Sequence, residues 1–151
     1  TRRSSDLELI NQAPVIAHQM DLLMSVDGVG ERVALKMIME TDAFTSFTDP
    51  RKFCCHAGVV PFVYVSGSSQ RSKNRVSNRA DKSIKHLLHM AALSVSQVKN
   101  SPLKKYYDRK VEEGKNKMSV LNAVRAKLVT IMFAVIRTDA FFSRNYQNSL
   151  A

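Results

Sequence analysis

Ser66-Gly67 sets a hydroxyl beside a glycine, and the chain then supplies Arg71, Lys73, Arg75, Arg79, Lys82 and Lys85 against one acid, Asp81. A serine so placed has the makings of a phosphoryl-transfer nucleophile. Neighbouring cations stabilise charge on the transferring oxygens, and glycine leaves room for a backbone to approach. Arg71, Lys73 and Arg75 fall along one side of an extended chain, and Lys82 and Lys85 share a face once a helix begins. Both sets suit a phosphate backbone. The same composition also describes a flexible polar turn followed by a solvated basic face, and composition alone favours that plainer description.

A second constellation is Gly28-Val29-Gly30, between two stretches of helical periodicity. Glycines in such a helix-hairpin-helix turn accept unusual dihedrals, Val29 pins the turn to the core, and free amides opening the next helix can face a phosphate oxygen. A purely structural helix–helix turn needs the same residues. Other candidates are thinner. His86 and His89 sit three residues apart on one helix but lack a carboxylate or cysteine at metal-ligand spacing. Cys54-Cys55-His56 points to different faces of a helix, and small buried cysteines are most often core filler. The carboxylates are dispersed, so no metal site is assigned to this chain.

These residues need elements to hold them. Leu7 to Met24 reads as a helical lead-in kinked or restarted by Pro14; the glycine turn follows, then a helix opening at Glu31. Asp49-Pro50 caps a short helix through Phe53 that Gly58 ends. Val59 to Val65 is β-branched and aromatic, which predicts a short extended or β-hairpin segment near 59–66. Ile84, Leu87, Leu88, Ala91, Ala92, Val95 and Val98 form an apolar stripe, predicting a long helix over 83–98. Ser101-Pro102 opens another that ends at Gly114, and a last long helix covers 117–137. The expected fold is mainly α, divided into a lead-in (1–24), a principal domain (25–138) and a loose tail (139–151).

Charge narrows the function classes. The chain of 151 residues carries a net +10, but residues 1–70 are −2 and residues 71–151 are +12. A basic excess confined to one half suggests a polyanion-facing surface, with nucleic acid the leading partner and an anionic membrane the weaker one. The stretch from Met118 to Ile136 has the length of a bilayer span, yet Asn122, Arg125, Lys127 and Thr130 would be costly at its centre, so it reads as a buried helix and no membrane partner is expected. Two adjacent cysteines form no disulfide framework, which points to a reducing cytoplasm. The first residue is Thr, which suggests a piece of a longer protein.

The blocks Val26-Asp27-Gly28-Val29-Gly30, Phe53, Ala57 to Pro61, Ser66-Gly67 and Leu87 to Leu93, then Tyr106-Tyr107, Gly114 to Met118 and Ala123 to Leu128, occur in an order that resembles the C-terminal domain of DEDD-type insertion-sequence transposases. The resemblance covers roughly Met24 to Ile136. It implies a mobile-element recombinase guided by a bridging RNA, in which a RuvC-like domain binds divalent metal (Mg) through carboxylates and this helical domain contributes a nucleophilic serine. The matching position is Ser66, with Ser68 and Ser69 the alternatives should the register slip by two or three. Many relatives have Gly-Asn where this chain has Ala80-Asp81.

The resemblance thus implies a transposase: DNA and a guide RNA as partners, a homo-oligomer as the working assembly, and no cofactor in this portion. The basic residues from Arg71 to Lys85 would position nucleic acid, and the Gly28–Gly30 turn would lend auxiliary amides. Competing readings are a non-catalytic helix-hairpin-helix nucleic-acid-binding module and an oligomerisation domain.

Overall fold

The computed structural model describes residues 13–60 and 81–145. Within them the chain forms α1 (Pro14–Met24), α2 (Glu31–Glu40), α3 (Pro50–His56), α4 (Lys82–Val95), α5 (Pro102–Glu112) and α6 (Lys117–Thr138). Pro14, Pro50 and Pro102 occupy the first turns of their helices, where a missing amide costs nothing. The part of the expected lead-in before residue 13 lies outside the described residues.

Helix α6 is the axis of the fold. It packs on α1, α3, α4 and α5, while α2 packs on α1 and α4. Leu22, Leu23, Met37, Phe53, Ile84, Leu88, Leu128 and Met132 are almost wholly excluded from solvent between them. Phe133 of α6 meets Phe44 edge to face, ring centres 5.0 Å apart, and Phe53 at 5.7 Å. Helix α6 is also the one described helix long and apolar enough to cross a bilayer. Its contacts with four other helices identify it as the core helix of a packed domain, because apolar side chains along its length already have protein partners.

Two expectations about elements need correction. Of the extended segment expected near 59–66, only Val59 and Val60 are described, and they form a bend; no strand occurs among the described residues. Their amides both reach back to the Cys54 carbonyl, at 2.9 and 3.3 Å, closing the end of α3, and Val59 is fully buried. Gly58, at φ +69°, makes that reversal possible. The β-branched composition here therefore reflects burial, which strands and cores share. Helix α4 ends at Val95 rather than Val98: the Ser96 hydroxyl donates to the Leu93 carbonyl at 2.7 Å and the chain turns there.

The first residues of the segment read as a loose tail make specific contacts. Asp139 accepts from His18 at 2.6 Å, the Phe142 amide donates to the Ser25 hydroxyl at 2.9 Å, and Arg144 grips Asp27 through two nitrogens.

Candidate nucleic-acid interface

Ser66, Arg71, Lys73, Arg75 and Arg79 lie outside the described residues, as do the alternatives Ser68 and Ser69. Both ends of the stretch that holds them are fixed to the core. At the near end, Asn122 of α6 donates to the Val59 carbonyl at 3.0 Å. At the far end, Asp81 caps α4, its carboxylate accepting from the Ser83 amide at 2.7 Å and the Ile84 amide at 3.4 Å. Lys36 of α2 stands 3.6 Å from that carboxylate and 2.6 Å from Glu40. Burial works to raise the Asp81 carboxyl, but the two amides and Lys36 outweigh it and hold it below the ordinary value. Asp81 thus serves as the capping side chain of α4.

Lys82 is exposed and Lys85 half-buried on the first turns of α4. Neither has a carboxylate within ion-pair distance among the described residues. Two basic residues of α5 differ: Lys104 pairs with Asp108 at 2.7 Å and Lys110 with Glu113 at 2.6 Å. Opposite-charge pairs at helical spacing leave less field for an outside anion. The first turns of α4 therefore present two cations, Lys82 and Lys85, that no described carboxylate pairs.

The glycine turn is a helix–turn–helix junction, α1 to α2, with Val26 and Val29 buried. Gly28 sits at φ +83°, and a Cβ there would stand 2.7 Å from the Val95 Cβ and 2.9 Å from the Ala91 carbonyl oxygen. Its bare Cα faces α4, so this glycine serves close packing. Gly30 is different: its backbone is extended, the space around it is open, and the N-terminus of α2 that it caps has no side-chain acceptor. Asp27 in the same turn is neutralised by Arg144.

One arrangement escaped the sequence reading. Arg125 of α6, only 7% exposed, sends an Nη donor to His89 Nδ1 on α4 at 2.9 Å. Its Nε is buried with no acceptor. Burial, the adjacent guanidinium and His86 lower the His89 pKa, which keeps the imidazole a neutral acceptor at pH 7. Burial also lowers the Arg125 pKa, without removing a charge that arginine retains in proteins. The signal was an arginine one turn from Leu121 and one from Val129, inside an apolar stripe.

Metal and thiol chemistry find little support in this region. His, Cys, Asp and Glu are nowhere gathered in threes among the described residues. Burial, then Cys55 and Asp49, push the Cys54 thiol up to about 12, so it stays protonated and unreactive.

Comparison with known proteins adds the family. A family model described as "Transposase IS116/IS110/IS902 family" matches residues 20–108, more than half of the chain. The chain is 28% identical over 137 residues to the pilin gene-inverting protein of Moraxella bovis, covering 91% of this chain and 42% of that protein. The pilin gene-inverting protein of Moraxella lacunata is 27% identical over the same length. An uncharacterised 43.6 kDa protein of insertion element IS110 from Streptomyces coelicolor is 27% identical over 139 residues, covering 90% of this chain and 33% of its own. The chain therefore spans about a third to two-fifths of the relatives it matches.

Proposed function

Because the chain belongs to the IS116/IS110/IS902 family of transposases, we propose that it is the serine-bearing portion of a DNA recombinase, with Ser66 as nucleophile. The observation that carries the reading is the family match itself. It spans Met20 in α1 to Asp108 in α5, a range that includes both Ser66-Gly67 and the basic residues that follow. Relatives named for inverting a pilin gene fit a strand-exchange chemistry.

The chemistry conserves bonds. The Ser66 oxygen attacks a DNA phosphorus, a Ser–O–P bond forms as a phosphodiester P–O bond breaks, and the proton lost by serine is matched by one gained by the leaving deoxyribose hydroxyl. A new strand end then reverses the step. No external energy source is needed, because one phosphoester replaces another. Arg71, Lys73, Arg75, Arg79, Lys82 and Lys85 hold the backbone by phosphate contact, which positions without specifying sequence. Target choice then falls to another component, such as the guide RNA that the family resemblance implies. Divalent metal, held by carboxylates elsewhere in a homo-oligomeric recombinase, would stabilise charge on the transferring phosphoryl group.

The test uses the full-length recombinase in the bacterial cytoplasm and in vitro. Ser66→Ala should lower strand exchange on the order of 10³-fold or more, abolish a protein–DNA adduct on a nicked trapping substrate, and leave DNA affinity intact. Recombination surviving Ser66→Ala but lost in Ser68→Ala or Ser69→Ala would move the nucleophile. Survival in all three would reduce the chain to a non-catalytic binding module.

A further inference from the structure

Arg125 is the most expensive side chain in the described core. It lies on the face of α6 that carries Leu121, Leu128, Val129 and Met132, all buried, and is itself 7% exposed. A buried guanidinium is tolerated when a carboxylate neutralises it and its donors are used. Here neither condition holds among the described residues. The hydrogen bond recorded for Arg125 goes to a neutral imidazole, His89 Nδ1, and its Nε has no acceptor.

The missing negative charge is not supplied by the stretch that follows Val60. Residues 61–80 contain no Asp or Glu, and neither do residues 146–151; the acids outside the described residues are Asp6 and Glu8, both near the start of the chain. What does lie nearby is more positive or ionisable character. On α4, Lys82, Lys85, His86 and His89 recur at intervals of three and four, which puts them on one face of the helix. Arg125 reaches the inner end of that stripe. Accepting from Arg125 through Nδ1 also fixes the His89 tautomer, so its Nε2 carries the proton and is a donor. A guanidinium that no carboxylate neutralises among the described residues, with His89 holding one of its nitrogens, matches a tetrahedral oxyanion, which accepts several hydrogen bonds at once.

We propose that Arg125 and His89 form a phosphate-binding site between α6 and α4, taking one phosphodiester of DNA whose neighbours run along the Lys82–Lys85 side of α4. The assignment to DNA rests on the function proposed above; the uncompensated charge does not. His86, exposed one turn before His89, forms the rim of the site. Arg125 is a positioning residue: it fixes one phosphate relative to the core that anchors both ends of the Ser66 stretch, at Val59 and Asp81. The instability of an unneutralised buried cation is the expected mark of a side chain kept for binding.

The experiment compares the chain with Arg125→Met and Arg125→Lys by duplex-DNA titration over a range of salt and by thermal melting in phosphate-free buffer. Methionine fills similar apolar space, and replacing a buried charge by a hydrophobic side chain is often neutral or stabilising. Arg125→Met should therefore melt at or above the wild-type midpoint, bind duplex about tenfold more weakly, and show a salt slope shallower by about one. Arg125→Lys should restore the slope but only part of the affinity. Unchanged affinity and slope in a folded Arg125→Met would overturn the proposal. So would a lowered melting point with binding intact, the mark of a structural arginine.

Should Arg125→Met not fold, wild-type NMR decides. Duplex DNA and dimethyl phosphate should each shift the Arg125 Nε–H and His89 ring signals; silence from both overturns the site, and a response to inorganic phosphate but not to duplex overturns the assignment to DNA. A wild-type chain that binds no duplex at any salt defeats the underlying reading and is distinguishable from all of these.

Discussion

Helix α4 is approached from two sides, by the Ser25–Gly30 turn and by α6, and the two contacts make opposite use of it. At the turn, Gly28 brings backbone against Ala91 and Val95 with no room for a methyl group. At α6, a full-length arginine is buried and reaches His89. The turn has the composition expected of a phosphate cradle, yet its first glycine is spent on packing. The α6 contact has the composition expected of a core, yet it holds a cation that no carboxylate neutralises among the described residues. Glycine content reports only that backbone comes close to something. A cation inside an apolar stripe reports a free-energy cost that needs a compensating interaction.

The largest effect that would break this comparison is at Gly28. Gly28→Ala adds a Cβ 2.7 Å from the Val95 Cβ, at a φ that L side chains rarely adopt. Left-handed strain costs about 1–2 kcal/mol and overpacking about 1–3 kcal/mol, so urea unfolding should show a loss of about 2–5 kcal/mol. DNA affinity of the folded fraction should be unchanged. A variant as stable as wild type would mean that the turn does not bear on α4, and the cradle reading would regain its first glycine.

The helices were legible because their signals are local. Periodicity located α4 and α6, Asp49 and Pro50 marked the start of α3, and glycines marked ends at Gly58 and Gly114. Val59 and Val60 misled because β-branched side chains suit a pleated surface and a buried bend equally, and only the carbonyl of Cys54 decides between them. The Arg125–His89 contact joins residues 36 apart in sequence. No spacing rule connects two helices whose faces meet only after folding, and a lone arginine among apolar residues registers in sequence as an interruption. The candidate serine was readable from Ser66-Gly67, its basic surroundings and the family blocks, none of which needs tertiary structure.

A smaller effect sharpens the account of how α4 is held. Asp81→Ala removes the acceptor for the Ser83 and Ile84 amides and should cost about 1 kcal/mol at pH 7. Because the folded carboxyl titrates below its ordinary value, its contribution is complete above the unfolded pKa of about 3.9 and is lost as pH falls through the lower folded value. Wild type and Asp81→Ala should therefore converge in stability once the pH has fallen below that lowered value. Asp81→Asn keeps a capping oxygen, so it should retain most of the stability while losing this acid dependence. Parallel curves for wild type and Asp81→Ala down to acid pH would assign the loss to packing instead.

The smallest effect bears on the other half of the comparison, because Gly30 is the part of the turn left open. Its backbone is extended at φ −95° and ψ 177°, nothing lies within 4 Å of the place a Cβ would take, and α2 begins without a side-chain cap. A serine accepts that conformation, and its hydroxyl would take the amide of Arg32 or Val33, so Gly30→Ser should leave stability unchanged or raise it by a few tenths of a kcal/mol. The hydroxyl would also occupy a donor that a phosphate at this helix end requires. A helix-terminal anion contact is worth about 0.3–1 kcal/mol, which converts to a loss of about two- to fivefold in duplex affinity. That loss, with stability held, would keep the turn as an auxiliary contact beside the stronger Arg125 site. Unchanged affinity would remove its amides from the interface and leave Gly28 and Val29 as packing residues alone.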